Sequence, residues 1–69
     1  MYARVFRRAH QTRRFTVTPT GSSGWEVRDE RDSEVVRSVQ YSDWHRVERA
    51  MMAFMLEAIE LQDAGWVEA

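Results

Sequence analysis

Cysteine is absent from the 69 residues, so neither a disulfide nor a thiolate metal site can support the fold. Lysine is absent too: all ten basic residues are arginine. Proline occurs once, at Pro19, where its missing N–H ends a strand or marks an edge. The two histidines, His10 and His45, are too few for a closed zinc site without carboxylates. Long apolar runs are also missing. The longest, Ala50–Leu56, has seven residues, against the ~20 that a membrane-spanning helix needs. Met1–Arg14 is basic but has no apolar signal-peptide core. No membrane association is expected, and the expected location is cytoplasmic.

A chain this short buries only about 60% of its unfolded surface, so a monomer is marginal. With disulfides and metals set aside, a partner subunit is the remaining support. Charge is divided unevenly. Residues 1–14 carry five Arg and no acid, whereas residues 15–69 carry five Arg and eleven acids, giving +5 and −6 within a net −1. The basic segment is read as an N-terminal arm or a short extra strand in which Tyr2, Arg4 and Phe6 alternate with Ala3 and Val5.

From Phe15 on, the spacing predicts strands. Phe15 and Val17 alternate with Thr16 and Thr18 up to Pro19, a period-two pattern for a half-buried strand. Thr20–Gly24 reads as a hairpin loop. Trp25 and Val27 then alternate with Glu26 and Arg28, and Asp29–Ser33 reads as a charged turn. Glu34–Tyr41 forms the next strand, with Val35, Arg37, Val39 and Tyr41 on one face and Val36, Ser38 and Gln40 on the other. Short connections make an antiparallel meander the economical topology. The expected class is α+β: a three-stranded antiparallel sheet against one long C-terminal helix, β-β-β-α, with residues 15–69 as a single domain.

The helix is predicted from a cap at Ser42 or Asp43 to about Ala64. Gly65 closes it, Trp66 packs back on Leu61 in a Schellman end, and Val67–Ala69 is a tail. Trp44, Val47, Met51, Phe54, Ala58 and Leu61 form one stripe at helical spacing, which should face the sheet. The expected core is Trp25, Val27, Val39, Trp44, Val47, Met51 and Phe54. Met52, Met55, Leu56 and Ile59 form a second apolar group. Residues 43–64 span roughly 33 Å, longer than the ~20 Å of six-residue strands, so apolar surface should remain in water, the usual mark of an interface. Arg46 and Arg49 lie near the positive end of the helix dipole, and Glu57, Glu60 and Asp63 near the negative end. An antiparallel copy centred on Ala53 would set Arg46 against Glu60 and Arg49 against Glu57. A homodimer through Arg46, Arg49, Met52, Ala53, Met55, Leu56, Glu57, Ile59 and Glu60 is expected, acting toward a protein partner that the residues do not name.

Motifs for chemistry are lacking. Asp29, Glu30, Asp32 and Glu34 lack the spacing of a calcium loop. His45 has no HExxH partner, Ser22 and Ser23 have no nearby base, and no phosphate-binding glycine loop occurs. No enzymatic activity and no cofactor are expected. The alternative is nucleic-acid binding, with Arg4, Arg7, Arg8, Arg13 and Arg14 on phosphates and the sheet in a groove. Against it stand the acidic residues of the open sheet face and a pI near 6.1. Finally, Val17-x-Pro19 followed by Gly24-Trp25-x-Val27, a third strand and an Ala-rich helix resembles small uncharacterised bacterial β-β-β-α domains. The resemblance covers roughly residues 15–65 and implies a fold but no activity.

Overall fold

The computed structural model describes residues 2–21 and 23–69; Met1 and Ser22, the latter inside the expected Thr20–Gly24 loop, lie outside the described residues. The elements run β1 (Tyr2–Arg8), β2 (Gln11–Pro19), β3 (Trp25–Arg31), β4 (Glu34–Tyr41), α1 (Trp44–Asp63) and β5 (Val67–Glu68). The class is α+β with one long helix toward the C-terminus. The sheet, however, has five antiparallel strands, in the order β4-β3-β2-β1-β5, where three were expected.

The two extra strands come from the segments with the weakest signals. Tyr2–Arg8 pairs with β2 along its whole length, from Tyr2↔Val17 to Arg8↔Gln11. Its alternation turns Phe6 into the core, where it is fully buried. The connecting turn, Ala9–His10, has no Gly or Asn, although Ala9 takes a left-handed φ of 53°, so the usual hairpin signature is missing. Val67–Glu68 adds to the far side of β1, and the Ala69 amide donates to the Val5 carbonyl at 2.9 Å.

Strand pairing explains the spacing of the Val-x-Pro and Gly-Trp-x-Val residues. Val17 lies opposite Val27 and Pro19 opposite Trp25. A Cβ on Gly24 would approach the Tyr41 carbonyl oxygen to 2.8 Å, so only glycine fits where the loop re-enters the sheet. Asp32 and Ser33 both adopt positive φ, the mirror-image turn that matches the sheet twist. A bulge at Asp29/Glu30 then shifts β4, placing Val35 opposite Glu30 rather than on the core face. Val35 is exposed as a result, as is Val36.

The helix starts where Asp43 accepts a hydrogen bond from the His45 amide at 3.0 Å. It ends in a Schellman motif: Trp66 N–H donates to the Leu61 carbonyl at 2.9 Å and Gly65 N–H to that of Gln62 at 3.1 Å, with Gly65 at φ 95°. Packing reaches β3 and β4 at one sheet edge and β5 at the other, so α1 crosses the sheet obliquely. Nine-residue β2 spans about 30 Å, as does the twenty-residue helix. The strands are thus longer than the six residues from which an overhang was expected.

The buried core is Phe6, Phe15, Val17, Val27, Val47, Phe54 and Ala58. Phe15 stacks on Phe54 with centroids 4.5 Å apart and meets Phe6 at 6.0 Å. Of the expected core, Val27, Val47 and Phe54 are buried, Trp25, Val39 and Met51 are half-buried, and Trp44 remains 44% exposed beside Trp25. The centre of packing thus lies one strand further toward the N-terminus than expected. Truncation of Phe15 to alanine should cost about 3–5 kcal/mol, and removal of residues 1–8 should abolish cooperative unfolding. Either protein melting within a few degrees of the parent would contradict this core.

Candidate functional site

The fold first decides what the arginines of the basic segment do. Arg13, on β2, is turned inward and is only 7% exposed. Its guanidinium lies 3.3 Å from Asp29 of β3 and 3.4 Å from Glu57 of α1, and covers the Phe15 ring at 5.1 Å. Asp29 is therefore not part of a solvated turn but a buried-side partner on the core face. Arg4 forms a two-pronged pair with Glu68 at 2.7 and 2.9 Å, fastening β5 to β1. Arg8 donates to the Ala64 carbonyl at 3.0 Å and lies over the Trp66 ring. The last turn of α1 has no basic residue of its own, so Arg8 supplies the cation that the negative end of the helix dipole favours.

Of the five arginines expected on phosphates, only Arg7 and Arg14 remain on the open sheet face. There Arg14 stands opposite Glu30, and the Ser38 hydroxyl donates to Glu26 at 2.8 Å nearby. That face mixes both signs. Asp32 is engaged within the fold as well. Its carboxylate accepts from the Thr12 amide at 2.9 Å and ties the β3–β4 turn to β2.

Two surfaces stand out among the described residues. One is the outer face of α1, where Met52, Met55, Leu56 and Ile59 remain exposed to 60, 49, 61 and 52%. The other is a cleft of about 440 Å³ between β3–β4 and α1, lined among others by Val27, Val39, Phe54, Arg37, Arg46 and Arg49. The nine residues expected at a helix-mediated interface thus divide. The four apolar ones share the outer face. Arg46, Arg49 and Ala53 line the cleft, and Glu57 is engaged by Arg13. Glu60 is exposed. Among the described residues no group of three His, Asp or Glu could hold a metal ion, and no helix is long and apolar enough to cross a membrane.

No protein family, curated protein or solved structure matches this chain.

The Arg4 hydrogen bond holds the Glu68 carboxyl below its ordinary value, and Glu68 in turn raises Arg4. A depressed carboxyl contributes fully above the ordinary range, and the contribution is lost as pH falls through the lowered value. As pH falls below the ordinary carboxylate range, β5 should loosen, seen as a lower protection factor of the Ala69 amide relative to its intrinsic exchange rate at each pH. Glu68→Gln should loosen β5 in the same way at neutral pH. Exchange at Ala69 that is indifferent to both would separate β5 docking from this pair.

Proposed function

We propose that the domain is a non-enzymatic interaction module that pairs with a second copy of itself through the outer face of α1. The observation supporting this is the exposed stripe Met52, Met55, Leu56 and Ile59, on the side of the helix turned away from the sheet. Four large apolar side chains gathered in water are a patch of the kind that marks interfaces.

A second copy suits this patch because a two-fold contact uses the same surface twice. With antiparallel helices and the axis between Met55 and Leu56, Met52 meets Ile59 and Met55 meets Leu56. The apolar stripe supplies the affinity of this contact. An axis at Ala53 suits the patch less well, because it would bring up Met51 and Ala50, which pack on the core, and Glu57, which Arg13 already engages. One helix face is small beside the ~800 Å² per partner of a standard interface, so weak, micromolar pairing is expected. Nucleic-acid binding draws no support from the fold, since Arg4, Arg8 and Arg13 are occupied within the chain.

Sedimentation at high micromolar concentration should show a dimer. Leu56→Glu or Ile59→Glu should yield a monomer, and because these sites are exposed the stability should shift by no more than ~0.5 kcal/mol. A parent protein that sediments as a monomer would refute the pairing. Titration with mixed DNA and RNA at low salt should show no binding.

A further inference from the structure

The cleft beside β4 has a geometric origin. A helix is about 10 Å wide and strands are spaced ~4.8 Å apart, so one helix cannot cover five strands. Because α1 crosses the sheet obliquely, the core face of β3 and β4 stays partly open alongside Arg46–Phe54. The opening of about 440 Å³ falls within the ~300–1,000 Å³ typical of ligand sites.

Its lining has two parts. Val27 and Phe54, both buried, form an apolar floor with half-buried Val39, and Ala50 and Ala53 leave room on the helix side. Around this floor stand three arginines, Arg37 from β4 and Arg46 and Arg49 from α1. Among the described residues, none of the three has a carboxylate within ion-pair distance. Asp29, the one acid in the wall, is held by Arg13. Three like charges converging on apolar surface disfavour one another, and Arg46 sits in the first turn of α1, where the dipole adds positive potential. An anion relieves this, and guanidinium groups match carboxylate and phosphate oxygens in two-pronged fashion. Tyr41 completes the wall with an aromatic face and a phenol group.

We propose that this cleft binds a small organic anion, a carboxylate or phosphate carried on an apolar or aromatic body. The head group lies among Arg37, Arg46 and Arg49, and the body on Val27, Val39 and Phe54. A nucleoside monophosphate and a medium-chain fatty acid both pair an anionic head with an apolar or aromatic body, and they differ in head group as well as in body.

Calorimetric titration of the full chain with AMP, decanoate and inorganic phosphate tests the site. At least one of the first two should saturate it in the micromolar to submillimolar range, which also tells a nucleotide-type from a fatty-acid-type ligand. Inorganic phosphate should bind at least about tenfold more weakly, because it lacks a body. Arg37→Gln and Arg49→Gln should each weaken binding about tenfold, in keeping with the loss of one charged hydrogen bond. Ala53→Leu should block the cleft without removing charge, whereas Leu56→Glu, on the outer helix face, should leave affinity unchanged. The site is refuted if neither organic anion binds below millimolar concentration, or if binding survives the Arg37→Gln/Arg49→Gln double variant. It is likewise refuted if that double variant loses self-association while the parent binds no anion, an outcome that would seat acidic residues of a second copy in the cleft.

Discussion

Arg13 is the point at which the sheet and the helix are joined by charge as well as by packing. Its guanidinium lies over Phe15, in the centre of the small core, while its charge meets Asp29 on one strand and Glu57 on the helix. A cation this deep is tolerable only because partners are present; removing one side of such a pair commonly costs about 3–5 kcal/mol. The Glu57 contact helps to set how α1 sits on the sheet. With seven buried apolar residues among the described ones, a docking angle left to packing alone would be weakly determined.

The uneven charge of the chain follows from the same constraint. The basic first fourteen residues and the acidic remainder are complementary surfaces of one fold rather than an arm and a body. Arg4 meets Glu68, Arg8 meets the carbonyl end of α1, and Arg13 meets Asp29 and Glu57. Each contact ties β1 or β2 to a later element: two join the first strand to the C-terminal end, and the third joins β2 to β3 and α1. The helix is electrostatically mismatched when its own residues alone are considered. In the fold, Arg8 corrects its C-terminal end from a strand more than fifty positions away.

The helix and the middle strands were legible in the sequence because their signals are local. Asp43, Gly65 and the Leu61–Trp66 spacing define both ends of α1, and period-two alternation around Val17, Val27 and Val39 defines β2 to β4. β1 was obscured because arginine occupies its alternating positions and its turn, Ala9–His10, carries no turn residues. β5 is only two residues long and exists through pairing with β1, which no local pattern encodes. The bulge at Asp29/Glu30 changes the facing of Val35 without a glycine to announce it. Asp29 looked like a turn acid because its partners, Arg13 and Glu57, are distant in sequence. The apolar outer stripe was readable from spacing, but the cleft was not, since it depends on the angle at which α1 crosses a sheet wider than expected.

Both surfaces therefore have one cause. A five-stranded sheet offers more core face than a single helix can cover, and a helix with apolar residues on two sides offers more apolar surface than one sheet can bury. A fold seeking only self-sufficiency would use large apolar residues at positions 37, 50 and 53 and polar ones at 52, 56 and 59. This chain does the reverse. Arg37, Ala50 and Ala53 keep the cleft open and charged, while Met52, Leu56 and Ile59 keep the opposite helix face apolar and exposed. Neither choice helps so small a core, so each is better explained by something outside the single chain. The two surfaces lie on different sides of α1 and differ in character, apolar on one and cationic on the other. The pairing and the anion site proposed above therefore call on two different occupants rather than one.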